Sequence, residues 1–232
     1  MNAGLTLEQY PERLAASRAA ADLISNTLTD GLSRMKRASL VVSGGTTPGD
    51  CFRFLSEKSL DWSRVDIVPS DERWVTADHP DSNQGMIQRE LMQQEAESAQ
   101  FVPFHRESLE ASQAPAVIER DLNALTRPFS CCLLGMGDDG HFASLFPDFA
   151  GLRKALDPGS DESCVLVETS GSDHLRTSLT LSALLDSEFV LLLFFGRSKL
   201  DVFNSASAST GNYPVEALLA QQKTPVRALW AP

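Results

Sequence analysis

The sequence from residue 129 to residue 147 reads FSCCLLGMGDDGHFASLFP, a short apolar run followed by a glycine-rich loop with two aspartates and a histidine. The apolar run shows no alternation of apolar and polar residues, which is typical of a strand buried on both faces of a parallel sheet. A second run of this kind, FVLLLFF, spans residues 189–195. The two runs therefore predict a mostly parallel sheet with helices on both of its faces.

Strands and helices alternate along the rest of the chain. Short apolar runs predict further strands at residues 38–43, 65–68, 101–102, 165–168 and 226–230. The spacing of apolar residues predicts helices over 7–28, from about 52, over 83–97, over 114–125 and from about 198. The first helix is expected to end before Gly31, and SASAST at 205–210 is expected to form a loop. Without a repeat or a long linker, these elements predict one α/β domain over residues 1–232, with ligands bound at the carboxyl ends of its strands.

The composition disfavours several classes of protein. The 232 residues carry a net charge of −11, whereas nucleic-acid binders are usually basic. No apolar run approaches the roughly 20 residues that a membrane-spanning helix needs, and the N-terminus lacks the pattern of a secretory signal. The four cysteines form no CxxC pair, and we expect them to be reduced thiols of a cytoplasmic protein. Because the overall charge repels anions, binding of an anionic substrate would depend on individual arginines and lysines.

The first candidate loop is SGGTTP, residues 43–48, which follows the strand ASLVV. Its two glycines allow the backbone to approach a ligand closely, and Pro48 suits the first position of a helix. Hydroxyl groups and free backbone N–H groups at the start of a helix bind anions. The loop therefore predicts a phosphate site, with a plain strand-to-helix turn as the alternative; its candidate residues are Ser43, Gly44, Gly45, Thr46 and Thr47.

The second candidate loop is SDERW, residues 70–74, which follows the strand VDIVP and precedes a predicted helix start at Ser82 and Asn83. Arg73 is a candidate clamp for phosphate or carboxylate, since its planar guanidinium group matches the oxygens of these anions. Asp71 is expected either to act in catalysis or to hold Arg73. The alternative is a solvated surface turn.

The third candidate loop, which follows the central apolar run, has the GxGxxG spacing of dinucleotide-binding proteins at residues 135–140. Two features count against a dinucleotide site. Asp138 and Asp139 would place negative charge where a pyrophosphate must lie. Pro147 follows so soon that it leaves little room for the helix that packs behind such a loop.

Acid–base chemistry explains the same loop better. His141 can change protonation near neutral pH, and a nearby carboxylate, for which Asp139 is the candidate, can orient it to accept a proton from water. The alternative is a helix-capping aspartate beside a histidine with structural contacts only. A metal site that uses Asp139, His141 and either Asp71 or His79 is also open, although no pair has the i, i+4 spacing of ligands on a helix.

Two cations complete the set of candidates. Arg176 lies in HLRTSLTLS, and Lys199 follows the most apolar strand through Gly196. Lys199 therefore lies near the carboxyl end of a strand, as the three loops do, unless it is simply a solvated lysine at a helix start. Four strand-end segments with anion-binding and acid–base groups together predict one shared site.

These segments resemble a known family. GMGDDGHFASLFP at residues 135–147 is similar to the GxGxDGHxASLFP signature of the 6-phosphogluconolactonases. SGGTTP resembles their phosphate loop, SDERWV with Ser82-Asn83 resembles their DERxV…SN segment, and RTSLTL and GRSK resemble their later Arg and Lys motifs. The similarity runs in order over nearly the whole chain. The sequence departs from the family pattern at His174-Leu175-Arg176, because the pattern has a proline before the arginine and this chain does not.

The resemblance implies a Rossmann-like sheet that binds no nucleotide, akin to glucosamine-6-phosphate deaminases and ribose-5-phosphate isomerase. It also implies hydrolysis of 6-phospho-D-glucono-1,5-lactone to 6-phosphogluconate in the oxidative pentose phosphate pathway, without a metal or cofactor. His141 and Asp139 are then the expected catalytic residues. The remaining candidates are expected to bind the sugar or its phosphate: Ser43, Gly44, Gly45, Thr46, Thr47, Asp71, Arg73, Asn83, Arg176 and Lys199.

Two alternatives to the lactonase stay open. Deaminase relatives would have a glutamate in a GHxAFNEP-like segment, but Phe146 occupies that position here, and the missing carboxylate favours the lactonase. A catalytically silent sensor would bind a sugar phosphate with the same fold, but the presence of His141 and Asp139 favours an enzyme. The expected partner is a phosphorylated sugar lactone, with no nucleic acid or membrane, and we expect a monomer or weak homo-oligomer.

Overall fold

The computed structural model describes residues 4–170 and 172–232. The strands in these residues are β1 Leu5–Gln9, β2 Ala38–Val42, β3 Val65–Pro69, β4 Asp71–Arg73, β5 Gln100–Phe101, β6 Cys131–Leu134, β7 Cys164–Val167, β8 Arg176–Leu179, β9 Val190–Phe195 and β10 Val226–Ala231. The α-helices are α1 Arg13–Arg34, α2 Gly49–Ser56, α3 Asn83–Glu90, α4 Ala114–Asn123, α5 Leu152–Ala155, α6 Leu181–Leu184, α7 Arg197–Ser207 and α8 Val215–Ala220. Short 3₁₀ helices cover Trp62–Arg64, Gln94–Ser98 and Ala111–Gln113. None of these helices is both long and apolar enough to cross a membrane.

A seven-stranded sheet forms the centre of the fold, in the order β1-β10-β9-β6-β2-β3-β5. Every neighbouring pair in this sheet is parallel. The mostly parallel α/β sheet flanked by helices, which the unbroken apolar runs predict, is therefore confirmed. β6, the strand with which the sequence analysis began, is the middle strand.

The central strands are buried on both faces. Along β6, Cys132 and Leu134 pack into one hydrophobic cluster, whereas Cys131 and Leu133 pack into another. Successive side chains of a strand point to opposite faces, so a sheet covered on both sides needs apolar residues at every position. Helices α1 and α2 contribute to the cluster around Leu133, and α4, α7 and α8 contribute to the other.

A separate antiparallel sheet contains β4, β8 and β7 in that order. The chain passes from the large sheet to the small one at Ser70, whose N–H donates to the carbonyl of Val42 and whose carbonyl accepts from the N–H of Leu179, both at 2.8 Å. The register pairs Arg73 with Arg176. Of this sheet, the sequence predicts only β7, and the segment of β4 was expected to be a loop. The small sheet places the two arginines side by side.

The N-terminal segment differs from the predicted helix over residues 7–28. Residues Leu5–Gln9 instead form β1, whose partner β10 lies more than 200 residues away in the sequence, so local spacing gives no sign of it. Helix α1 begins only at Arg13 and continues past Gly31 to Arg34. A Cβ atom at Gly31 would lie 3.0 Å from Ser130 Oγ, so this glycine allows close packing of the helix and does not end it.

Two other predicted boundaries were wrong. The predicted helix over 83–97 ends at Glu90, because the carbonyl of Ile87 accepts from both Leu91 and Met92 and Gln94 then adopts a φ of 52°. The segment 205–210 is not wholly a loop, since α7 continues to Ser207. Burial of Phe203 and Ala206 against the core keeps this part of the chain helical.

Candidate active site

A cavity of about 330 Å³ lies at the carboxyl ends of β9, β6, β2 and β3. These strands are consecutive in the sheet, so the loops that follow them meet at one edge. Asp139 is the one predicted site residue that does not line the cavity, and it lies behind His141. The wall contains the other predicted residues: Ser43, Gly44, Gly45, Thr46, Thr47, Asp71, Arg73, Asn83, His141, Arg176 and Lys199. It is completed by Gly135, Met136, Gly137, Phe142, Ala143 and Phe146.

Asp139 and His141 form a hydrogen-bonded pair. His141 Nδ1 lies 2.6 Å from Asp139 Oδ1, and the same oxygen accepts the backbone N–H of His141 at 3.2 Å. Because an ionised carboxylate only accepts hydrogen bonds, Nδ1 carries the proton and Nε2 of the neutral imidazole is left unprotonated. This is the tautomer that a general base requires.

The loop closes tightly around this pair. The backbone N–H of Gly137 donates to the carbonyl of His141 at 2.9 Å. A Cβ atom at Gly137 would lie 2.3 Å from His141 Nδ1, so a larger residue would displace the imidazole. Ala143, in the cavity wall, has a φ of 49°, a left-handed conformation that costs a non-glycine residue about 1–3 kcal/mol. Such strained backbone is typical of functional sites.

The loop from Ser43 to Thr47 presents backbone donors to the cavity. Ser43 is fixed to β6, since its N–H donates to the carbonyl of Leu133 at 2.9 Å and its Oγ accepts the N–H of Gly135 at 3.1 Å. Within the described part of the chain, no hydrogen bond uses the backbone N–H groups of residues 44–47. These donors precede α2, where the helix dipole favours negative charge. The loop therefore has the geometry of an anion site.

Asp71 is buried beneath this loop and bonds to hydroxyl groups. Its Oδ1 accepts from Ser70 Oγ at 2.8 Å, and its Oδ2 accepts from Ser144 Oγ at 2.6 Å. Asp71 was expected either to act in catalysis or to hold Arg73. Among the described residues, no ion pair within 4.0 Å joins Asp71 to Arg73. Asp71 thereby links the end of β3 to the loop that carries His141. Ser144, to which the sequence analysis gave no role, is the other half of this link.

Asn83 connects Asp71 to the anion loop. Its Nδ2 donates to the backbone carbonyl of Asp71 at 2.8 Å. A Cβ atom at Gly44 would lie 1.9 Å from Asn83 Oδ1, so the loop backbone rests directly on this amide. The anion loop and the start of α3 are therefore closely packed, and only glycine permits this packing at residue 44.

Glu72 is a buried residue of the site that the sequence analysis did not identify. Its Oε1 accepts the backbone N–H groups of Arg73 and Asn83, both at 2.8 Å, and its Oε2 accepts that of Gln84 at 2.6 Å. The side chain is 1% exposed, and this burial raises the pKa of its carboxyl despite the three N–H donors. Glu72 fastens the start of α3 to β4. Its partners lie up to 12 residues away, beyond any local motif.

Arg73 and Arg176 project side by side toward the cavity. Arg73 donates through Nη1 to the backbone carbonyl of Asp81, while its buried Nε has no hydrogen-bond partner among the residues that the structure describes. Arg176 donates through Nε to Ser172 Oγ at 3.1 Å. Burial, and then the charge of Arg73, lowers the pKa of Arg176. In the described part of the chain, neither arginine forms an ion pair within 4.0 Å, and two adjacent cations of this kind favour a bound anion.

Lys199 and Phe146 also line the cavity. Lys199 is in the first turn of α7, and no carboxylate of the described residues lies within 4.0 Å of it. The Phe146 ring lies 4.3 Å from the His141 ring and 5.2 Å from Arg176 Cζ. The same apolar ring is thus close to both the histidine of the acid–base pair and a guanidinium group.

Comparison with known proteins agrees with the resemblance seen in the sequence. The model of the family described as glucosamine-6-phosphate isomerases/6-phosphogluconolactonase matches residues 11–230. The chain belongs to this family. A 6-phosphogluconolactonase of Mesorhizobium japonicum is 36% identical over 96% of this chain and 94% of its own length, and one of Pseudomonas aeruginosa is 35% identical over 99% and 96%. The crystal structure of a 6-phosphogluconolactonase from Shewanella baltica has a TM-score of 0.93 and 35% identity over 100% of both chains.

In this member of the isomerase/6-phosphogluconolactonase family, potential metal ligands group away from the acid–base pair. Within residues 4–170 and 172–232, the side chains close enough to share an ion are those of His79, Asp81 and His174. Only His79 belongs both to this group and to the metal site that was considered from the sequence. Among the described residues, no third potential ligand joins Asp139 and His141.

Proposed function

We propose that this chain hydrolyses 6-phospho-D-glucono-1,5-lactone to 6-phosphogluconate, a step of the oxidative pentose phosphate pathway. The observation that carries the proposal is a single cavity that combines the His141–Asp139 pair with an anion loop and three cations. An oriented imidazole suits the activation of water, and the cations suit a phosphate ester. Relatives named 6-phosphogluconolactonase, at 35% and 36% identity, support the same substrate.

The phosphate group of the substrate is proposed to bind to the Ser43–Thr47 loop. Backbone N–H groups of this loop, which have no partner within residues 4–170 and 172–232, then donate to the phosphate oxygens. Lys199 and Arg176 supply positive charge, with Arg73 as a further candidate. All three line the cavity, and this local charge opposes the repulsion that a net charge of −11 exerts on an anion.

The lactone carbonyl is proposed to lie beside His141. Nε2 accepts a proton from water while the water oxygen forms a bond to the carbonyl carbon. Asp139 accepts the Nδ1–H bond and stabilises the imidazolium ion that results. The oxyanion of the tetrahedral intermediate accepts hydrogen bonds from backbone N–H groups or from Arg73.

Collapse of this intermediate breaks the bond between the carbonyl carbon and the ring oxygen. The imidazolium ion of His141 returns its proton to the ring oxygen, which becomes a hydroxyl group of the open chain. The new carboxylic acid then ionises in water. One water molecule is consumed, His141 regains its starting state, and this scheme includes no change of oxidation state and no cofactor.

The identity of residue 146 supports a lactonase over a deaminase. The deaminase-like pattern has a glutamate at this position, whereas here Phe146 packs against His141. A phenyl ring has no group that transfers a proton, so the acid–base chemistry of this cavity rests on His141 and Asp139.

The direct test measures hydrolysis of freshly generated 6-phosphogluconolactone, with a chelator present and with correction for spontaneous hydrolysis. We expect kcat/KM of at least about 10⁴ M⁻¹s⁻¹, within the usual range of enzymes. Glucosamine 6-phosphate, assayed in parallel, should release no ammonia. Binding of 6-phosphogluconate without turnover of the lactone would instead indicate a sensor, and ammonia release would indicate a deaminase.

A further inference from the structure

A second cluster of titratable side chains lies outside the proposed catalytic cavity. His79 and Asp81 lie between β4 and α3, and His174 precedes β8. His174 Nε2 lies 3.1 Å from Asp81 Oδ2, and His79 Nδ1 lies 3.8 Å from the same oxygen. One ligand atom from each residue lies within 4.8 Å of the other two. His174 belongs to the segment in which the sequence departs from the lactonase pattern, so the family resemblance does not account for this cluster.

The cluster has the protonation states that a cation needs, although a cation would replace two of its hydrogen bonds. The backbone N–H of Asp81 donates to His79 Nδ1 at 3.1 Å, so this nitrogen is unprotonated, and a metal ion would take over the lone pair that now accepts this N–H. His174 Nε2 faces a carboxylate oxygen, which requires a proton between the two atoms when no metal is bound. A metal ion can replace that proton, because a neutral imidazole and an ionised carboxylate are the forms that bind metals.

We propose that His79, Asp81 and His174 form a binding site for Zn²⁺. Zinc binds imidazole nitrogen and carboxylate oxygen at about 2.0–2.2 Å, so neighbouring ligand atoms in a tetrahedral site lie about 3.3 Å apart. The 3.1 Å between His174 and Asp81 matches this distance. The 3.8 Å to His79 needs a rotation of a side chain that is 38% exposed, and this rotation breaks its hydrogen bond with the Asp81 N–H. A water molecule completes the fourth position. Two imidazole ligands disfavour Mg²⁺ and Ca²⁺, which prefer oxygen.

The charges around the cluster allow a cation. A cavity of about 190 Å³ is lined by Arg73 and Arg176 together with Asp81, Asp173 and His174. The two guanidinium groups oppose a cation, but the two carboxylates balance them. Arg73 donates to the backbone carbonyl of Asp81, which leaves the carboxylate available to a metal. The free energy of zinc binding then comes mainly from the three bonds to the metal.

The proposed site joins two segments that hold the arginines of the catalytic cavity. Asp81 accepts from Arg73 through its backbone carbonyl, and Ser172, two residues before His174, accepts from Arg176. A metal ion bound to both Asp81 and His174 would therefore connect the partners of both guanidinium groups. The proposal does not depend on the reaction catalysed, because binding of the metal is measured directly.

Calorimetric titration of the metal-stripped protein with Zn²⁺ tests this site. The chain has four histidines, which provide two cluster variants and two controls. We expect one Zn²⁺ per chain, bound at least about tenfold more weakly by His79→Ala and by His174→Ala. Binding by His105→Ala and His141→Ala should stay within about twofold of the wild type. Titration with Mg²⁺ should give no comparable binding.

Cobalt provides a second readout that does not depend on heat. Co²⁺ bound to the wild type should show the visible absorption of tetrahedral coordination, and Asp81→Asn should lose it. Thermal unfolding of each variant verifies that it is folded. Equal zinc affinity in all four histidine variants, or a loss confined to His141→Ala, would overturn the proposal. An octahedral cobalt spectrum would do the same.

Discussion

The proposed chemistry depends, at the scale of single residues, on the tautomer of one imidazole. One oxygen of Asp139 accepts both the backbone N–H and the Nδ1–H of His141. Two hydrogen bonds to one atom fix the orientation of the ring as well as its protonation. Nε2 is then the nitrogen available to water, without any change in the loop.

Replacement of His141 tests this role. His141→Ala should lower kcat by about 10²–10⁴-fold, the usual contribution of a general base, while the residues assigned to the phosphate stay in place. Steady-state kinetics on the lactone, corrected for spontaneous hydrolysis, measures the effect. His105→Ala is the matched control, since His105 packs against Trp74 and is absent from the cavity wall. A near-wild-type kcat in His141→Ala would remove His141 from the mechanism.

Lys199 is expected to act mainly in binding. Lys199→Ala should raise KM by about 10- to 100-fold with a smaller change in kcat, because a hydrogen bond to a charged group contributes about 1.5–3 kcal/mol. Arg197→Ala removes a cation from the same helical turn, but Arg197 is 78% exposed and pairs with Asp201. Its KM should stay near that of the wild type. Equal KM values for Lys199→Ala and the wild type would contradict the assignment.

Some residues of the site could be predicted from the sequence, and others could not. Ser43, His141 and Lys199 lie in the segments that follow buried strands, so the rule that ligands bind at strand ends is enough to find them. Ser144 lies 73 residues from its partner Asp71, and no local spacing records that contact. The same holds for Glu72, whose function as a cap of α3 depends on a chain reversal between residues 73 and 83.

At the scale of elements, the small sheet is the part of the fold that the sequence predicts least well. β4 has three residues, all charged, and its partner β8 lies about 100 residues later, so neither alternation nor a hairpin signal marks it. β1 is concealed for the same reason. The apolar strands β6 and β9 were predictable because burial on both faces leaves an unbroken apolar run.

The packing of the anion loop on α3 gives a prediction about Gly44. Gly44→Ala should lower kcat/KM by about 10²-fold, because the new Cβ atom would collide with Asn83 Oδ1 and displace the loop. Gly49→Ala, at the start of α2, meets no atom within 4 Å and should retain both activity and stability. Kinetics and thermal unfolding of the two variants measure the difference. An equal loss of activity in both variants would show that the collision is not the cause.

Glu72 predicts a pH-dependent contribution to stability. Burial raises the pKa of its carboxyl above the usual 4.5, so the folded state binds more protons than the unfolded state as pH rises beyond that value. The contribution of Glu72 to the free energy of unfolding is therefore fully present below about pH 4.5 and decreases at higher pH. The side chain of Glu72→Gln does not titrate. The free energy of unfolding of the wild type should therefore decrease relative to that of this variant between about pH 4.5 and 7.5.

Urea unfolding at both pH values measures this difference. Glu97→Gln, at an exposed position, is the control for the loss of one negative charge. If the wild type instead gains stability relative to Glu72→Gln as pH rises, then the three backbone N–H donors outweigh the effect of burial. The sign of this stability difference therefore shows whether burial or hydrogen bonding dominates where β4 contacts the start of α3.

At the scale of the whole molecule, the core makes the thiols inaccessible. Cys51, Cys131, Cys132 and Cys164 are all free and buried, and the first three belong to strands or helices of the central layers. Burial raises the pKa of the Cys164 thiol to about 12 and raises those of the other three as well. The thiolate, which is the reactive form, is therefore scarce in the folded protein.

Thiol labelling should report unfolding of the entire chain. At pH 7.5 we expect iodoacetamide to modify none of the four cysteines in the time in which it modifies all of them in urea. Intact-mass spectrometry counts the labels. Rapid labelling of one cysteine without denaturant would show that a part of the core opens separately.

The loops of the cavity continue the hydrogen bonding of the central sheet. Ser43 donates to the carbonyl of Leu133 and accepts from Gly135, while Ser70 bonds to both Val42 and Leu179. No one of these loops can open without breaking bonds that belong to its neighbours. The residues proposed to act on substrate therefore share one cooperative unit with the core, and heating should abolish turnover and the native fold along a single curve. A folded but inactive intermediate is not expected on that route.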